Sequence, residues 1–432
     1  MPVVSLSPIR AISGRLAVPG DKSISHRYVL LGALASGRTT MRHLAPGADV
    51  RASLGCIAAL GATVLRSPDG IVRVDGWGDT GPTPPAGPLD CLNSGTTMRL
   101  LAGLLAGFPI SATLIGDASL SSRPMRRIMD PLQAMGARVA ADDGRAPVTV
   151  TGGRLRAITW TPAAASAQIK SAILLAGLQA DGRTTVVEPA ATRDHTERAF
   201  PVFGLSCVVD DVRVSVDGGQ RATSPAGILD VPGDPSTAAV WAALAASLPG
   251  SQVELTGVAL NPRRLGFVAA LRRMGATVTL TDTQVLGGEP VGTISVAYGN
   301  CADTVIAPDE VPGLIDELPV LAACAAHGRR LEVRGAGELR VKESDRISAL
   351  VAGLRALGVT AHEYPGGFVV DGRAGRPGGG HADAVHDHRL VMAFAVVALG
   401  STGPASINSA DAIAVSYPGF WNDLITLRVP TA

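Results

Sequence analysis

Val18-Pro19-Gly20-Asp21-Lys22-Ser23 and Val231-Pro232-Gly233-Asp234-Pro235-Ser236 are one phrase written twice in a chain of 432 residues. Each copy completes a Leu-x-Val stretch, Leu16–Val18 or Leu229–Val231, and leads into a long Ala/Leu-rich segment. Pro and Gly end a strand and Ser caps a helix well, so the phrase reads as a strand-to-helix junction with Ser23 and Ser236 as caps. The copies differ where chemistry is possible. The first carries Lys22 and Arg27, and the second has Pro235 and Val240 in their places. A duplicated scaffold with one charged copy points to a site grafted onto a symmetric frame.

The repetition goes deeper. Ala/Leu-rich helical stretches, each followed by a strand-like segment, begin near Ser23, Gly95, Ala167, Ser236, Asp316 and His388, a period of about 70 residues. Ile24–His43, Thr96–Ile115, Ile169–Glu188, Thr237–Leu255 and Leu318–Val333 are examples. A second helix in each repeat ends at a glycine: Leu60-Gly61-Ala62, Met135-Gly136-Ala137, Met274-Gly275-Ala276 and Leu357-Gly358-Val359, with Phe203-Gly204-Leu205 a looser copy. Glycine supplies the left-handed conformation that closes a helix. Alternating segments such as Val148–Thr151 and Val212–Val216 read as strands. Six such repeats, three per half, predict an α/β protein of two globular domains. The last repeat ends differently, at Tyr417-Pro418-Gly419-Phe420.

Composition agrees with that size and class. A chain this long is expected to form two domains. It is 46% hydrophobic, 17% charged and only 3% aromatic, which predicts a core of Ala, Val and Leu. A net charge of +1 gives no global field for nucleic acid or an anionic membrane. No apolar run approaches the roughly 20 residues of a membrane span. Arg10 and Arg15 interrupt any signal-peptide pattern. Cys56, Cys91, Cys207, Cys301 and Cys324 are scattered and form no CxxC, so reduced thiols in a cytoplasmic protein are expected.

The cations gather at the helix starts and the loops facing them. Lys22 and Arg27 lie at the first, Arg99 at the second and Lys170 at the third, with Arg123 in the loop Ser119–Met125; Lys342, Arg346 and Arg389 follow in the second half. Helix N-termini offer unpaired N–H groups and a positive dipole end, and added Lys or Arg make anion sites there. Any one of these residues alone reads as an ordinary solvated side chain. Their recurrence beside Gly/Ser/Asn turns predicts small, multiply anionic substrates. Asn93-Ser94-Gly95-Thr96-Thr97-Met98-Arg99 by itself reads as a capping turn, in which Asn93 or Thr96 caps the helix or meets a ligand. Ser166-Ala167-Gln168-Ile169-Lys170 places polar residues where a core helix needs none. Asp316-Glu317 and Lys342-Glu343-Ser344-Asp345-Arg346 hold the acidic candidates. Cations lower a carboxyl pKa and burial raises it, so the sequence leaves open which is acid and which is base. Surface ion pairing is the bland account of both segments.

Two tempting motifs fail on spacing. Gly20-Asp21-Lys22-Ser23 has Asp between Gly and Lys and no Gly five residues earlier, so it is not a P-loop. His381, His386 and His388 with Asp383 and Asp387 lack HExxH spacing and read as a polar loop, so no metal is expected.

Together the segments Pro19–Arg27, Asn93–Arg99, Ser121–Met125, Ser166–Lys170, Asp316-Glu317, Arg340–Arg346 and Asp387–Arg389 resemble the EPSP synthase family of enolpyruvyl transferases. The resemblance runs nearly end to end, with the motifs in family order. Arg193-Asp194-His195-Thr196-Glu197 and the Ser166–Lys170 segment look like its class II branch. It implies an inside-out α/β barrel fold of two domains, each of three βαβαββ-type repeats. Their expected bounds are 20–233, and 1–19 plus 234–432, with crossovers near Pro19–Lys22 and Pro232–Ser236 and the active site in the cleft between domains.

The resemblance also implies transfer of the enolpyruvyl group of phosphoenolpyruvate to the 5-hydroxyl of shikimate 3-phosphate, on the shikimate pathway to chorismate and the aromatic amino acids. Asp316 takes the role of base at that hydroxyl, Glu343 that of proton donor and acceptor at C3, and Lys22 assists. Lys22, Ser23, Arg27, Ser166, Ala167, Gln168, Arg193, Asp316 and Lys342 are expected to hold shikimate 3-phosphate. Lys22, Asn93, Gly95, Arg123, Gln168, Arg346 and Arg389 are expected to hold phosphoenolpyruvate. No cofactor is implied, the expected assembly is a monomer, and glyphosate is expected to compete at the phosphoenolpyruvate site.

The departures from the family pattern are specific. Val415 stands where some members carry Lys, Asn261-Pro262-Arg263-Arg264 lacks the Thr of the class II Asn-x-Thr-Arg motif, Glu338 replaces Asn, and Ala167 replaces a second Ser. The sister UDP-N-acetylglucosamine enolpyruvyl transferases carry a reactive Cys in the loop matching Asp117–Ser122, which here has none. A non-catalytic anion-binding paralogue would not need Asp316, Glu343 and Lys22 together. Gly95, where tolerant class II members can carry Ala, leaves room for glyphosate and predicts sensitivity, whereas Val415 removes an attraction for it.

Overall fold

The computed structural model describes residues 2–429. Helices begin where the repeat predicts, at Lys22–Leu34, Gly95–Leu105, Ala167–Gly177, Pro235–Ser247, Leu318–Ala325 and His388–Leu399. The caps of the duplicated phrase differ from expectation. The Asp21 side chain accepts from the Ile24 N–H and that of Asp234 from the Ser236 N–H, so Ser23 and Ser236 fall inside their helices. A carboxylate at this end satisfies an orphan donor and meets the positive end of the helix dipole. Pro235 sits in the first turn, where its missing N–H has no intrahelical partner to lose.

Each full repeat builds a four-stranded sheet in one order. In the second repeat, Leu89–Asp90 runs parallel to Ser111–Ile115 across the helix Gly95–Leu105. Arg145–Thr151 and Arg138–Asp142 then add antiparallel. The third and fifth repeats follow the same βαβαββ plan. The second helices end at glycines in the left-handed region, Gly61 at φ 97° and Gly136 at φ 112°, as the repeat predicts.

The duplicated phrase marks an exchange of strands. Ser13–Ala17, which precedes the helix Lys22–Leu34, pairs in parallel with Gln252–Ala259, the strand after the helix Pro235–Ser247. Ile228–Asp230, which precedes that second helix, pairs in parallel with Arg38–Arg42 after the first. Reciprocal backbone bonds hold the two passages: Asp21 N–H donates to Pro232 O at 2.7 Å and Asp234 N–H to Pro19 O at 2.9 Å. Gly20 has no room for a side chain there, since a Cβ would lie 1.7 Å from His43 O. In the sixth repeat the N-terminal strand Val3–Leu6 pairs antiparallel with Ala405–Asn408 and takes the outer place in that sheet.

Contacts divide the chain into two compact units. One is Gly20–Pro232 with Val285–Glu289; the other is Met1–Pro19, Gly233–Gln284 and Pro290–Ala432. Within each unit the sheets lie outside and the Ala/Leu helices inside; all residues of Pro235–Ser247 and of His388–Leu399 are buried. Small side chains let these helices approach closely. A Cβ on Gly103 would lie 2.2 Å from Ala172 O of the neighbouring helix. No helix of the described residues is long and apolar enough to cross a membrane.

His327, just past the helix Leu318–Ala325, is 6% exposed and packed against Gly400. Burial pushes its pKa down to about 4; its bond to the Val396 backbone opposes this, and Arg329 and Arg376 add to the fall. The unfolded chain takes this proton near pH 6.5 and the folded chain near pH 4, so the contribution is complete above pH 6.5 and is lost as pH falls between those values. Urea unfolding should therefore show a loss of roughly 3 kcal/mol across that window that His327→Gln removes.

Candidate active site

In the unit that begins at Gly20, the first helix start carries Lys22 in an ion pair with Asp49, Nζ to Oδ2 2.9 Å, with the Lys22 side chain 18% exposed. Asp49 was invisible in the sequence. It sits in the first turn of the helix Ala48–Ala59, where an acidic residue is ordinary. One turn past Lys22, the buried Arg27 donates from Nε to Thr196 Oγ1, from one terminal nitrogen to Ser23 O and from the other to Ser171 Oγ, at 2.7, 2.9 and 2.7 Å. Burial lowers its pKa to about 10, Glu197, Asp21 and Glu289 resist the fall, and the half-buried Arg193 adds to it. The structure thus brings Ser23, Arg27 and Arg193 together and fixes the Arg27 guanidinium plane by neutral acceptors.

The second and third helix starts meet. Gln168 bridges them, accepting from Arg99 at 2.5 Å and donating to Thr96 Oγ1 at 2.9 Å. Asn93 accepts from Arg123 at 2.7 Å and donates to Asp117 at 2.7 Å. Gly95 faces both guanidinium groups, since a Cβ there would lie 3.0 Å from Arg99 and 3.3 Å from Arg123. The helix cap is Ser94, accepting from the Thr97 N–H, rather than Asn93 or Thr96. Ser166 caps the third helix, with Ala167 as its first residue.

Lys170 departs from expectation. It is fully buried, with Nζ 2.9 Å from Glu188 Oε2 and 2.6 Å from Glu197 Oε1. Burial raises the Glu197 carboxyl, and Lys170 pulls it back. This cation ties its helix to two carboxylates of the same unit and belongs to the framework. The sequence could not separate it from the others, because burial depends on what packs over the helix.

In the other unit, the buried Arg346 gathers three carboxylates. Nε donates to Asp387 Oδ2 at 2.7 Å, one terminal nitrogen donates to Asp316 Oδ1 at 3.5 Å, and the other donates to Glu343. Burial alone would lower the Arg346 pKa, but Asp387, Glu343 and Asp316 together raise it. Arg389 donates to Asp316 O at 2.9 Å and lies 3.5 Å from its carboxylate. The structure therefore groups Asp316, Glu343, Arg346 and Arg389, with the half-buried Lys342 adjoining Glu343 in the chain. Asp387, read from sequence as part of a polar loop, is a fully buried partner of Arg346 and the cap of the helix His388–Leu399.

Glu317 parts from Asp316. It is buried and accepts from Ser236, beside Arg264, whose guanidinium reaches Asp234 at 3.1 Å and Ser236 at 2.9 Å. The second copy of the duplicated phrase thus closes on itself as an internal polar cluster. Among the described residues no three His, Cys, Asp or Glu side chains are placed to hold a metal ion.

The six-repeat α/β fold is that of the enolpyruvyl transferases; it aligns over 98% of this chain, at a TM-score of 0.76 and 18% identity, with the enolpyruvyl transferase NikO from Streptomyces tendae, which shows the fold alone. A solved EPSP synthase from Acinetobacter baumannii aligns at a TM-score of 0.87 with 37% identity, over 99% of this chain and 98% of that one. The family model of EPSP synthase (3-phosphoshikimate 1-carboxyvinyltransferase) matches residues 6–424, and the chain belongs to that family. Curated relatives named 3-phosphoshikimate 1-carboxyvinyltransferase include one from Acidithiobacillus ferrooxidans, 48% identical over 96% of this chain and 95% of its own length. Another, from Chloroflexus aurantiacus, is 45% identical over 98% of this chain and 99% of its own length.

Removing Lys170 tests its reassignment to the framework. Lys170→Met leaves Glu188 and Glu197 buried without their cation and should cost about 3–5 kcal/mol of stability in chemical denaturation. A variant as stable as the wild type would return Lys170 to the list of candidate anion ligands.

Proposed function

We propose that this chain transfers the enolpyruvyl group of phosphoenolpyruvate to the 5-hydroxyl of shikimate 3-phosphate and releases phosphate, a step of the shikimate pathway. The observation that carries the reading is a family match spanning both halves, joined to two acid–base candidates, Asp316 and Glu343, held on one buried guanidinium. The reaction needs two opposed proton transfers and cations for two phosphates and two carboxylates.

In this reading Asp316 takes the proton of the 5-hydroxyl as its oxygen adds to C2, while Glu343 gives a proton to C3. The tetrahedral ketal then loses phosphate as Glu343 takes a proton back from C3. Lys22 contacts both substrates and assists proton transfer, and its pairing with Asp49 keeps its ammonium in place at the helix start. Ser23, Arg27, Ser166, Ala167, Gln168, Arg193, Asp316 and Lys342 hold shikimate 3-phosphate. Asn93, Gly95, Arg123, Gln168, Arg346 and Arg389 hold phosphoenolpyruvate. Arg346 and Arg389 are positioned by Asp387 and by the backbone of Asp316, so binding needs little further ordering. The chemistry calls for no metal or cofactor, and the protein acts as a cytoplasmic monomer. The UDP-N-acetylglucosamine reaction is not favoured, because the curated relatives carry the shikimate name and Asp117–Ser122 has no Cys.

Phosphate release from phosphoenolpyruvate should depend on shikimate 3-phosphate and not on UDP-N-acetylglucosamine. Asp316→Ala and Glu343→Gln should each lower the rate on the order of 10²–10⁴-fold. Undiminished turnover in either variant would remove that residue from its role.

Glyphosate should compete with phosphoenolpyruvate. In Gly95→Ala the new methyl would press on the Arg99 and Arg123 guanidinium groups, an overlap costing roughly 1–3 kcal/mol in a packed site. Inhibition of this variant should weaken about tenfold or more, with a rise in the phosphoenolpyruvate KM because Arg123 is displaced. Equal inhibition of both proteins would show that position 95 does not govern the response.

A further inference from the structure

Directly behind the Lys22–Asp49 pair lies a line of buried polar side chains that the proposed reaction does not use. His26 Nδ1 meets Ser53 Oγ at 2.8 Å, Ser53 Oγ meets Thr97 Oγ1 at 2.8 Å, and Thr97 Oγ1 donates to Ser94 Oγ at 2.8 Å. Thr97 also lies 3.3 Å from Asp49 O. All four side chains are buried, His26, Ser53 and Thr97 completely. They come from three helices, Lys22–Leu34, Ala48–Ala59 and Gly95–Leu105, the last of which Ser94 caps. His26 is four residues past Lys22, Ser53 four past Asp49 and Thr97 four past Asn93. For the first two pairs, both inside helices, that spacing stacks one side chain a turn behind another, and Thr97 lies in the first turn of the helix that Ser94 caps. The line therefore forms a second tier beneath Lys22, Asp49 and the Asn93 turn.

The direction of the hydrogen bonds follows from the ends. Ser94 Oγ already accepts from the Thr97 N–H at 3.1 Å. Burial, with Lys22 and Arg27 beside it, keeps the His26 pKa well below 6.5, so the ring is neutral at pH 7 and carries one N–H. His26 Nε2 has no hydrogen-bond partner among the described residues. Thr97 gives its one hydroxyl proton to Ser94, so Ser53 gives its own to Thr97 and accepts from His26 Nδ1, whereas a proton on Nε2 would be a buried donor with no partner. The proton thus sits on Nδ1, and the line runs His26 to Ser53 to Thr97 to Ser94, with the Ser53 and Thr97 hydroxyls each accepting one bond and donating one and the Ser94 hydroxyl accepting from Thr97.

We infer that His26, Ser53, Thr97 and Ser94 form a positioning relay, which locks three helix starts in register so that Lys22, Asp49 and the Asn93–Arg123 contact are held at one depth. The inference rests on the role of Lys22 and Arg123 in the proposed reaction. Directional bonds between hydroxyls 2.8 Å apart weaken steeply with misalignment, so they add to close packing a further penalty against sliding of one helix past another. A shift of about 1 Å in a reacting group can cost on the order of 10²-fold in rate.

Thr97→Val keeps the side-chain shape and removes the hydroxyl at the centre of the line. It should lower kcat/KM on the order of tenfold or more. Thr97→Ser, which keeps the hydroxyl, should return it to within about threefold. Should Thr97→Val not fold, Ser53→Ala and its Ser53→Thr counterpart make the same comparison. Wild-type turnover with Thr97→Val unaffected, or a loss that Thr97→Ser does not restore, overturns the relay and leaves the reaction standing. Nitrogen-15 spectra of the histidines, with His26 assigned through His26→Asn, test it without any substrate. A neutral Nδ1–H ring at pH 7 in the wild type supports the relay, and an Nε2–H or charged ring overturns it. Absence of wild-type turnover alongside the expected ring would instead strike the proposed reaction.

Discussion

The architecture depends on one constraint: each unit must complete its first sheet with a strand that the chain delivers from the other half of the sequence. Ser13–Ala17 finds its partner in Gln252–Ala259, and Ile228–Asp230 in Arg38–Arg42. Each exchanged strand is the outermost of its sheet and is held there by parallel backbone pairing, Ser13–Ala17 along Gln252–Thr256 and Ile228–Asp230 along Thr40–Arg42. The exchange also explains why the Pro-Gly-Asp phrase occurs at both places. Gly passes where a Cβ would strike His43 O at the first copy and the Val18 side chain at the second, and Asp turns the chain into a capped helix.

Helix starts in both units carry buried cations, and the cost of that charge is met by specific partners within each unit. Arg346 is held by three carboxylates, Lys170 by two, and Arg27 by hydroxyls and a carbonyl. The chemical consequence differs among them. Lys170, enclosed by Glu188 and Glu197, is spent on structure. Arg346 carries Asp316 and Glu343, the two groups on which an acid–base reading depends. The duplicated phrase shows the same divergence in miniature. At its first copy Lys22 pairs with Asp49 while keeping some exposure; at its second, Ser236 links Arg264 to Glu317 in a buried cluster.

Much of this was legible from residue order because the information was periodic. The helix starts, the glycine caps at Gly61 and Gly136 and the strand near Val148–Thr151 follow from spacing and from conformations that few residues adopt. The candidate cations were legible as a class, since Lys and Arg beside Gly/Ser turns are uncommon in so neutral a chain. Asp49 and Asp387 were not. Each sits in or beside a first helical turn, where Asp is the ordinary choice, and only the approach of another element reveals what it holds.

The sequence by itself determined the repeat, the number of units, the places where helices begin and the stock of charges available. These are local properties, set by the turn, capping and periodicity preferences of neighbouring residues. Only the tertiary structure decided which strand completes which sheet, which cation is enclosed and which faces outward, and that His26, Ser53, Thr97 and Ser94 meet in one line. Those outcomes depend on distances between residues far apart in the chain, and on burial, which no single segment carries.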